Sequence, residues 1–248
     1  MRVLARMAWL ELKLLVREPI TVVFVLAMPL VMLFVLGEVF GSTPEPEGNV
    51  WRGQSPIQFY VPAYVGLVMC AIGVLTLPVH LSAYRERGVL RRLRASSIPA
   101  WTLAGAQVLV TVVIAAVSGV IVYVAASARY DISAPASLGG TLLGFTLSAL
   151  SFASLGVLLG SLFPSARAAQ GVGILLFFVM LLLGGAGPPR EVMTAAMRSI
   201  GDALPLTHVV DVLQGPWLGL GWDVASTAVV AAILVVSSIG AVLLLRRR

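Results

Sequence analysis

Six long apolar segments constrain this chain more than any other feature of its sequence. They cover about residues 20–37, 59–83, 101–126, 138–163, 168–187 and 224–245, and none contains Asp, Glu, Lys or Arg. A helix that crosses the hydrocarbon core of a bilayer needs about 20 apolar residues. Only 11% of the residues are charged, whereas a soluble domain has about 25%. We therefore predict an all-α membrane protein with six transmembrane helices, in a single domain over residues 1–248.

The distribution of lysine and arginine predicts the orientation. With six spans both termini share a side, and 13 of the 17 cations fall on that side against four on the other. Cytoplasmic loops carry the excess of Lys and Arg, so we expect both termini and the loop between spans two and three in the cytoplasm. Scarce lysine beside abundant Arg, Ala, Val and Gly is typical of a GC-rich bacterium, and we expect a multi-pass protein of the bacterial inner membrane.

Residues 1–18 precede the first span and are predicted to be helical as far as Pro19. Arg2, Arg6, Lys13 and Arg17 share one narrow face of that helix, and Glu11 and Glu18 lie near the opposite side. A basic stripe beside apolar residues is typical of a helix that lies on the inner leaflet. The alternative is a frayed basic terminus that only fixes the orientation. The apolar run that follows is too long for a signal-peptide core, so we expect a retained first span.

The segment "YRERGVLRRLRASSIPAW", residues 84–101, carries five arginines in its first eleven positions. On a helix, one face collects Glu86, Val89, Leu90, Leu93 and Ser97. One interpretation is a short cytoplasmic helix that sits in a groove of a soluble partner, with Glu86 paired across the interface. The other is that Glu86 pairs locally and the arginines only set the topology.

The section 188–222 is too long for a turn and too apolar for a solvated loop. We predict two short helices at the outer face, the first starting at Pro188 and Pro189 and the second capped by Thr207 and ended by Gly215 and Pro216. Non-helical backbone at membrane depth must be buried in protein or line a wet cavity. We therefore expect these re-entrant helices to shape an exit. Small residues also recur every four positions in span four, which favours close helix packing.

The sequence excludes several chemistries. Proton-driven transporters place ionisable groups at membrane depth, and these spans contain no Asp, Glu, Lys or Arg, with His80 near the inner end of the second. His80 and His208 are predicted on opposite faces, so they cannot share a metal ion, and neither offers a base for intramembrane serine hydrolysis. The single lysine, Lys13, follows Leu12 and so cannot end a phosphate-binding loop. We expect no enzyme, no cofactor and no metal in this chain, no nucleic-acid partner, and a buried, unpaired Cys70.

Three stretches resemble the ABC-2 type permeases, the membrane subunits of ATP-driven exporters. They are "YRERGVLRRLRASSIPAW", the first span from Glu18-Pro19 through Pro29, and "GPPREVMTAAMRSIGDALPLTHVVDVLQG" before the last span. Within that family the chain is most similar to the daunorubicin-resistance-type drug exporters. It departs from the pattern at Gln214, where an arginine is frequent.

The resemblance implies a permease that moves a hydrophobic or amphipathic solute (a drug, lipid or natural product) out of the cytoplasm. It implies two copies of a cytoplasmic ATPase subunit that binds ATP and Mg, and a second permease subunit, identical or related. The expected ATPase-coupling residues are Glu11, Arg17, Glu18, Glu86, Arg87, Gly88, Leu90, Leu93 and Arg94. The expected outer-gate residues are Pro188, Pro189, Leu204, Pro205 and Leu206. The alternative is a non-transporting immunity, assembly or sensor subunit that docks an ATPase.

Overall fold

The computed structural model describes residues 2–17, 23–41, 43, 50–89, 92 and 100–247, and within this part all the regular secondary structure is helical. The helices are α1 (Arg2–Val16), α2 (Val23–Phe40), α3 (Pro56–Glu86), α4 (Ala100–Arg129), α5 (Leu138–Leu162), α6 (Ala166–Leu183), α7 (Ala195–Gly201), α8 (Pro205–Leu218) and α9 (Val224–Arg247). A short 3-10 turn, Arg190–Val192, precedes α7. Six of the helices are long and apolar enough to cross a membrane, namely α2, α3, α4, α5, α6 and α9, which confirms the predicted number of spans.

Helix α3 lies at the centre of the bundle. It packs against α2, α4, α5, α6 and α8, and nearly all of its side chains are buried. A helix that is apolar around its whole circumference has no face for solvent and is stable only inside a protein or a membrane. The other spans keep large apolar side chains exposed, such as Val117 on α4 and Leu143 on α5. Those surfaces face lipid in a membrane-spanning bundle.

Glycines bring α5 close to its neighbours. A Cβ on Gly156 would lie 2.5 Å from the carbonyl oxygen of Gly73 in α3, and one on Gly144 would lie 3.0 Å from the carbonyl oxygen of Val212 in α8. The four-residue pattern of small residues in span four therefore marks real helix contacts. Residues without side-chain bulk let two backbones approach in this way. At this contact α3 also contains a π-helical segment, Ala71–Thr76.

The predicted start of the first short helix at Pro188 and Pro189 is wrong, because α7 begins only at Ala195, after the 3-10 turn. Most boundaries of the six predicted spans differ from the observed ones by three residues or fewer, and among them the end of α6 differs most. The sequence predicted a span to residue 187, but α6 ends at Leu183. Gly184 and Gly185 follow, and Gly185 has φ +81, a conformation that glycine adopts without strain and that a helix cannot contain. Serine side chains fix other helix starts, because Ser137 and Ser165 accept hydrogen bonds from the N–H groups three residues later.

The predicted bounds of the second short helix after span five are wrong. Helix α8 begins at Pro205, and the Thr207 hydroxyl does not cap it but donates a hydrogen bond to the carbonyl of Gly201 at 2.6 Å. The helix then runs through Gly215 and Pro216 and ends at Gly219, whose φ is +74. Nearly every residue of α8 is buried, so tertiary packing outweighs the local helix-breaking signals.

Candidate functional site

Helix α1 is attached to the bundle through a buried carboxylate. Helix α1 packs along α4, and the Glu11 side chain between them is only 6% exposed. Its Oε2 atom accepts a hydrogen bond from the Tyr84 hydroxyl at 2.9 Å and another from the Gln107 amide nitrogen at 2.6 Å. Tyr84 belongs to α3 and Gln107 to α4. One carboxylate thus joins three helices at the end of the bundle where the arginines concentrate, which we call the basic end.

Burial controls the charge of this group. Desolvation raises the pKa of Glu11 above its ordinary value, and the hydrogen bonds from Tyr84 and Gln107 and the positive field of His80 offset only part of that effect. A buried carboxylate without partners would be very unfavourable. The two donors therefore make the burial of Glu11 possible, and they couple its protonation to the position of α1.

Arg85, the residue after Tyr84, ties α3 to the end of α5. Its Nη1 atom donates to three main-chain carbonyls, those of Gly160 (3.1 Å), Ser161 (2.7 Å) and Phe163 (2.9 Å). The last carbonyls of a helix have no partner within the helix, and a cation there also complements the helix dipole. The hydroxyl of Ser82 donates to the Gly160 carbonyl as well, at 3.2 Å. The basic end of α3 is thus fixed to α1, α4 and α5.

The predicted coupling residues separate into three groups. Glu11 is buried inside the chain, as described above, whereas Arg17, Glu86 and Arg87 are exposed at the basic end. Gly88 is in the left-handed region with φ +68. Four residues of this set lie outside the described part of the chain: Glu18, Leu90, Leu93 and Arg94.

One part of the coupling-helix prediction is wrong. The sequence pattern placed Glu86 and Val89 on one face of a continuous helix, but α3 ends at Glu86 and Gly88 breaks the helix before Val89. A glycine with positive φ just after the last helical residue is a common helix stop. Glu86 is therefore the last residue of the central span, and it does not lie on one continuous helix with Val89.

An ion-pair cluster holds the opposite end of the bundle. Arg52, between α2 and α3, lies 3.5 Å from the Glu191 carboxylate and 3.6 Å from the Asp211 carboxylate. Its guanidinium also lies over the ring of Phe59 at 5.9 Å. Among the described residues Arg52 is the single non-glycine with a positive φ, at +53. Such a conformation in a non-glycine residue costs about 1–3 kcal/mol and persists where surrounding contacts impose it.

Hydrogen bonds fix the section between α6 and α9 to the start of α3. The Tyr60 hydroxyl donates to the carbonyl of Gly187 at 2.7 Å, and the Gln214 amide donates to the carbonyl of Phe59 at 3.0 Å. Gln214, the departure from the family pattern, is thus a buried helix-to-helix contact. Arg190 also pairs with Asp202. The section between α6 and α9 is therefore packed against the central helix.

The predicted gate residues occupy distinct positions in this section. Pro188 is exposed, Pro189 precedes the 3-10 turn, and Leu204 and Pro205 form the start of α8. Leu206 is fully buried and lies next to Gly66 of α3 and to Gly184, directly after α6. The structure thus brings Leu206 to the junction of three elements.

Asp211 is the more buried of the two carboxylates that lie near Arg52. Desolvation raises the pKa of Asp211 above its usual value, while the positive charges of Arg52 and Arg190 act in the opposite direction. In the described residues no group of three or more His, Cys, Asp or Glu side chains could hold a metal ion. His208 contacts Ser226 and the carbonyl of Asp202. These contacts hold the section in place through packing and ion pairs.

Sequence reasoning missed the residues that make these connections: Tyr84, Arg85, Gln107 and Arg52. Gln107 carried a usable signal, since an amide inside an apolar span requires a partner. Arg85 was counted with its neighbours as a topology determinant. No pattern in the sequence separates it from Arg87, which is exposed.

The comparisons with known proteins agree with this architecture. Residues 2–218 match the protein family described as "ABC-2 type transporter". The chain is also similar to "Putative transport permease YvfS" of Bacillus subtilis (strain 168), with 27% identity over 209 residues that cover 84% of this chain and 82% of the relative. The six apolar helices and the family match together define a multi-pass membrane protein with a permease role. This chain belongs to the ABC-2 type transporter family.

Proposed function

We propose that this chain is the membrane-spanning permease subunit of an ATP-driven exporter that moves a hydrophobic or amphipathic solute out of the cytoplasm. The observation that carries the proposal is the family match over residues 2–218. The interiors of the six spans support it, because they contain no Asp, Glu, Lys or Arg that could couple transport to a proton gradient. The energy then comes from ATP hydrolysis in a separate subunit.

The solute belongs to the apolar class in this proposal. A strongly charged solute would need compensating charges along its path, and the sequence has none within the spans. The resemblance to daunorubicin-resistance-type exporters favours a drug, a lipid or a natural product. The proposed assembly contains two ATPase subunits and a second permease copy, identical or related, in the inner membrane of a bacterium with both termini in the cytoplasm.

The proposed coupling runs through the basic end. An ATPase subunit would contact the exposed Glu86 and Arg87, the arginine-rich residues that follow them, and the exposed face of α1 near Arg17. Glu11 and Arg85 would act behind that surface, since they join α1, α3, α4 and α5 into one unit. Displacement of this unit moves α3, which extends to the opposite end and contacts the section around Leu206.

In the same proposal the section from Pro188 to Leu206 forms the outer gate. The Tyr60–Gly187 hydrogen bond and the Arg52 ion pairs connect that section to the start of α3. Both ends of the central helix carry such contacts. A shift of α3 at the basic end would therefore strain the contacts at the opposite end. Coupling of this kind requires two alternative packings of the gate.

The experiment is efflux from membrane vesicles with and without a co-expressed cognate ATPase. We expect ATP-dependent export of an amphipathic dye only when both subunits are present. Export by this chain alone under a proton gradient would refute the proposal. A non-transporting immunity, assembly or sensor subunit is the competing function, and it predicts ATPase binding without any stimulation of ATP hydrolysis by added solutes.

A further inference from the structure

An apolar cavity opens sideways between α3, α4, α5 and α8, at the end of the bundle opposite the basic end. Its volume is about 440 Å³, within the range of about 300–1,000 Å³ that ligand pockets occupy. Val65 of α3 and Leu213 of α8 line the interior and are 7% and 2% exposed. Val120 and Leu142 lie at its edge and are 61% and 56% exposed. The cavity therefore reaches from the surface of the spans to the central helix.

The lining is mostly hydrocarbon, and the buried indole N–H of Trp217 is one polar atom in it without a hydrogen-bond partner among the described residues. The Thr141 hydroxyl donates to the carbonyl of Ser137 at 2.9 Å and so is already satisfied. Tyr123 and Trp217 contribute ring faces and edges, and they pack edge to face at 5.6 Å. An apolar cavity of this kind stays dry and accepts apolar guests. A hydrocarbon group is therefore the occupant that matches most of this lining.

The surroundings of the cavity identify the hydrocarbon. The edge residues Val120 and Leu142 continue the exposed apolar surface of α4 and α5, which includes Val117 and Leu143. In a membrane-spanning chain that surface meets acyl chains, and an empty cavity open to them would leave its walls without contacts. We propose that this cavity is a lipid site that takes one acyl chain of a membrane phospholipid. The acyl chain contacts Leu213 and Trp217 on one side and the central helix on the other.

Two features distinguish this cavity from an ordinary lipid-facing groove. Its far wall is α8, the helix that carries Asp211 and the proposed gate residues Pro205 and Leu206. Its floor includes Gly119, where a Cβ would meet Val65 at 3.5 Å and Phe145 at 3.8 Å, which is ordinary contact. The chain thus leaves this volume open, although an alanine would fit at the position. The bound acyl chain completes the packing between α8 and the rest of the bundle.

The test uses the full chain in vesicles that contain a phospholipid with a photoactivatable diazirine in the middle of one acyl chain. After illumination, mass spectrometry locates the labelled residues. We expect label on the lipid-facing Val117 and Leu143 and also on the buried Val65 and Leu213. Label on the lipid-facing residues alone would overturn the proposal, because bulk lipid would then not enter the cavity.

A variant that fills the cavity can be compared with a control variant that carries the same substitution outside it. Ala116→Phe places a ring in the lining of the cavity, and Val117→Phe places the same ring on the neighbouring lipid-facing position of α4. We expect label at Val65 and Leu213 to disappear in the first variant and to persist in the second. Equal label in both variants would contradict the proposal.

A second pair of variants, on α5, tests the proposal if Ala116→Phe does not fold. Leu142→Phe narrows the edge of the cavity, and Leu143→Phe is its lipid-facing control. Elution on size exclusion like that of the unmodified chain verifies folding. Cross-linking between two copies of the chain at Val120, with no lipid label on Leu213, would show that a second copy covers the cavity and would also overturn the lipid proposal.

Discussion

The guanidinium of Arg85 lies 2.7 Å from the carbonyl oxygen of Ser161, which connects the last turn of the central span to the last turn of α5. Two more carbonyls of the same helix end, those of Gly160 and Phe163, accept from the same nitrogen. Arg85 therefore has a structural role that Arg87 and Arg92, the described arginines near it, do not share, since both of these are exposed. This distinction leads to the first of the following predictions.

Replacement of Arg85 by alanine should destabilise the bundle. The change leaves several carbonyls of the α5 end without their charged donor, and hydrogen bonds to charged groups contribute about 1.5–3 kcal/mol. Thermal unfolding of the detergent-purified chain measures the effect. Arg87→Ala is the control, since Arg87 is exposed and surface changes stay within about 0.5 kcal/mol. Equal melting temperatures of the two variants would contradict the assignment.

Two substitutions of Glu11 should behave differently. Because the pKa of Glu11 is raised in the folded chain, its contribution to stability is fully present below its ordinary pKa and is lost as the pH rises through the folded value. Glu11→Gln keeps an oxygen that accepts from Tyr84 and Gln107 and removes this pH dependence. Glu11→Ala leaves both donors without their acceptor and costs about 1–3 kcal/mol.

Melting temperatures between pH 4 and pH 8 check the Glu11 prediction. The difference between Glu11→Gln and the unmodified chain should change with pH in favour of glutamine as the pH rises. A pH-independent difference would show that the carboxylate does not change its charge in the folded protein. If Glu11→Ala is as stable as Glu11→Gln, the hydrogen bonds to Tyr84 and Gln107 contribute nothing.

Arg52→Ala should loosen the section that forms the proposed gate. The variant loses the pairs with Glu191 and Asp211, and we expect a loss of about 1 kcal/mol, the upper end for partly exposed pairs. The loss should be smallest at acid pH, where the carboxylates are neutral, and should grow as the pH rises and Asp211 ionises. Arg129→Ala is the control, because the Arg129–Glu38 pair is largely exposed. Limited proteolysis between α6 and α9 reports the loosening, and equal cleavage of both variants would refute it.

Glu86→Ala should weaken binding of the ATPase subunit, whereas Arg87→Ala should have a mild effect. If the Glu86 carboxylate pairs across the interface, its removal leaves the opposing charge without a partner, which costs about 2–5 kcal/mol. Arg87 is one of several neighbouring cations, so the others retain most of the positive charge of the segment when Arg87 is replaced. Recovery of the ATPase by pull-down at two salt concentrations measures the effect. Equal recovery and unchanged efflux for Glu86→Ala would mean that this segment sets topology only.

Gly173→Ala and Gly171→Ala form a test of helix packing on α6. A Cβ on Gly173 would overlap the carbonyl oxygen of Val74 in the central helix, whereas one on Gly171 meets nothing within 4 Å. Overpacking of this kind costs about 1–3 kcal/mol. Gly171→Ala should be neutral or slightly stabilising, since alanine is the better helix former. A melting temperature of Gly173→Ala equal to that of Gly171→Ala would show that α6 shifts freely against α3.

The sequence alone determined the fold class and the number of spans. Long runs such as 101–126 and 138–163 have no charged residue, and in lipid the backbone of such a run can satisfy its own polar groups only as a helix. The predicted starts of the fourth and sixth spans, at residues 138 and 224, also match the starts of α5 and α9. The family resemblance followed from the order of three motifs along the chain.

Tertiary structure alone decided which span is central and which polar residues meet. All six spans are apolar, so composition does not distinguish α3, which is buried on every side, from α4, whose Val117 faces lipid. Glu11 and Gln107 are 96 residues apart in sequence, and their hydrogen bond exists because α1 packs on α4. Burial gives that pair its importance, since a carboxylate removed from water needs donors that only the folded bundle brings to it.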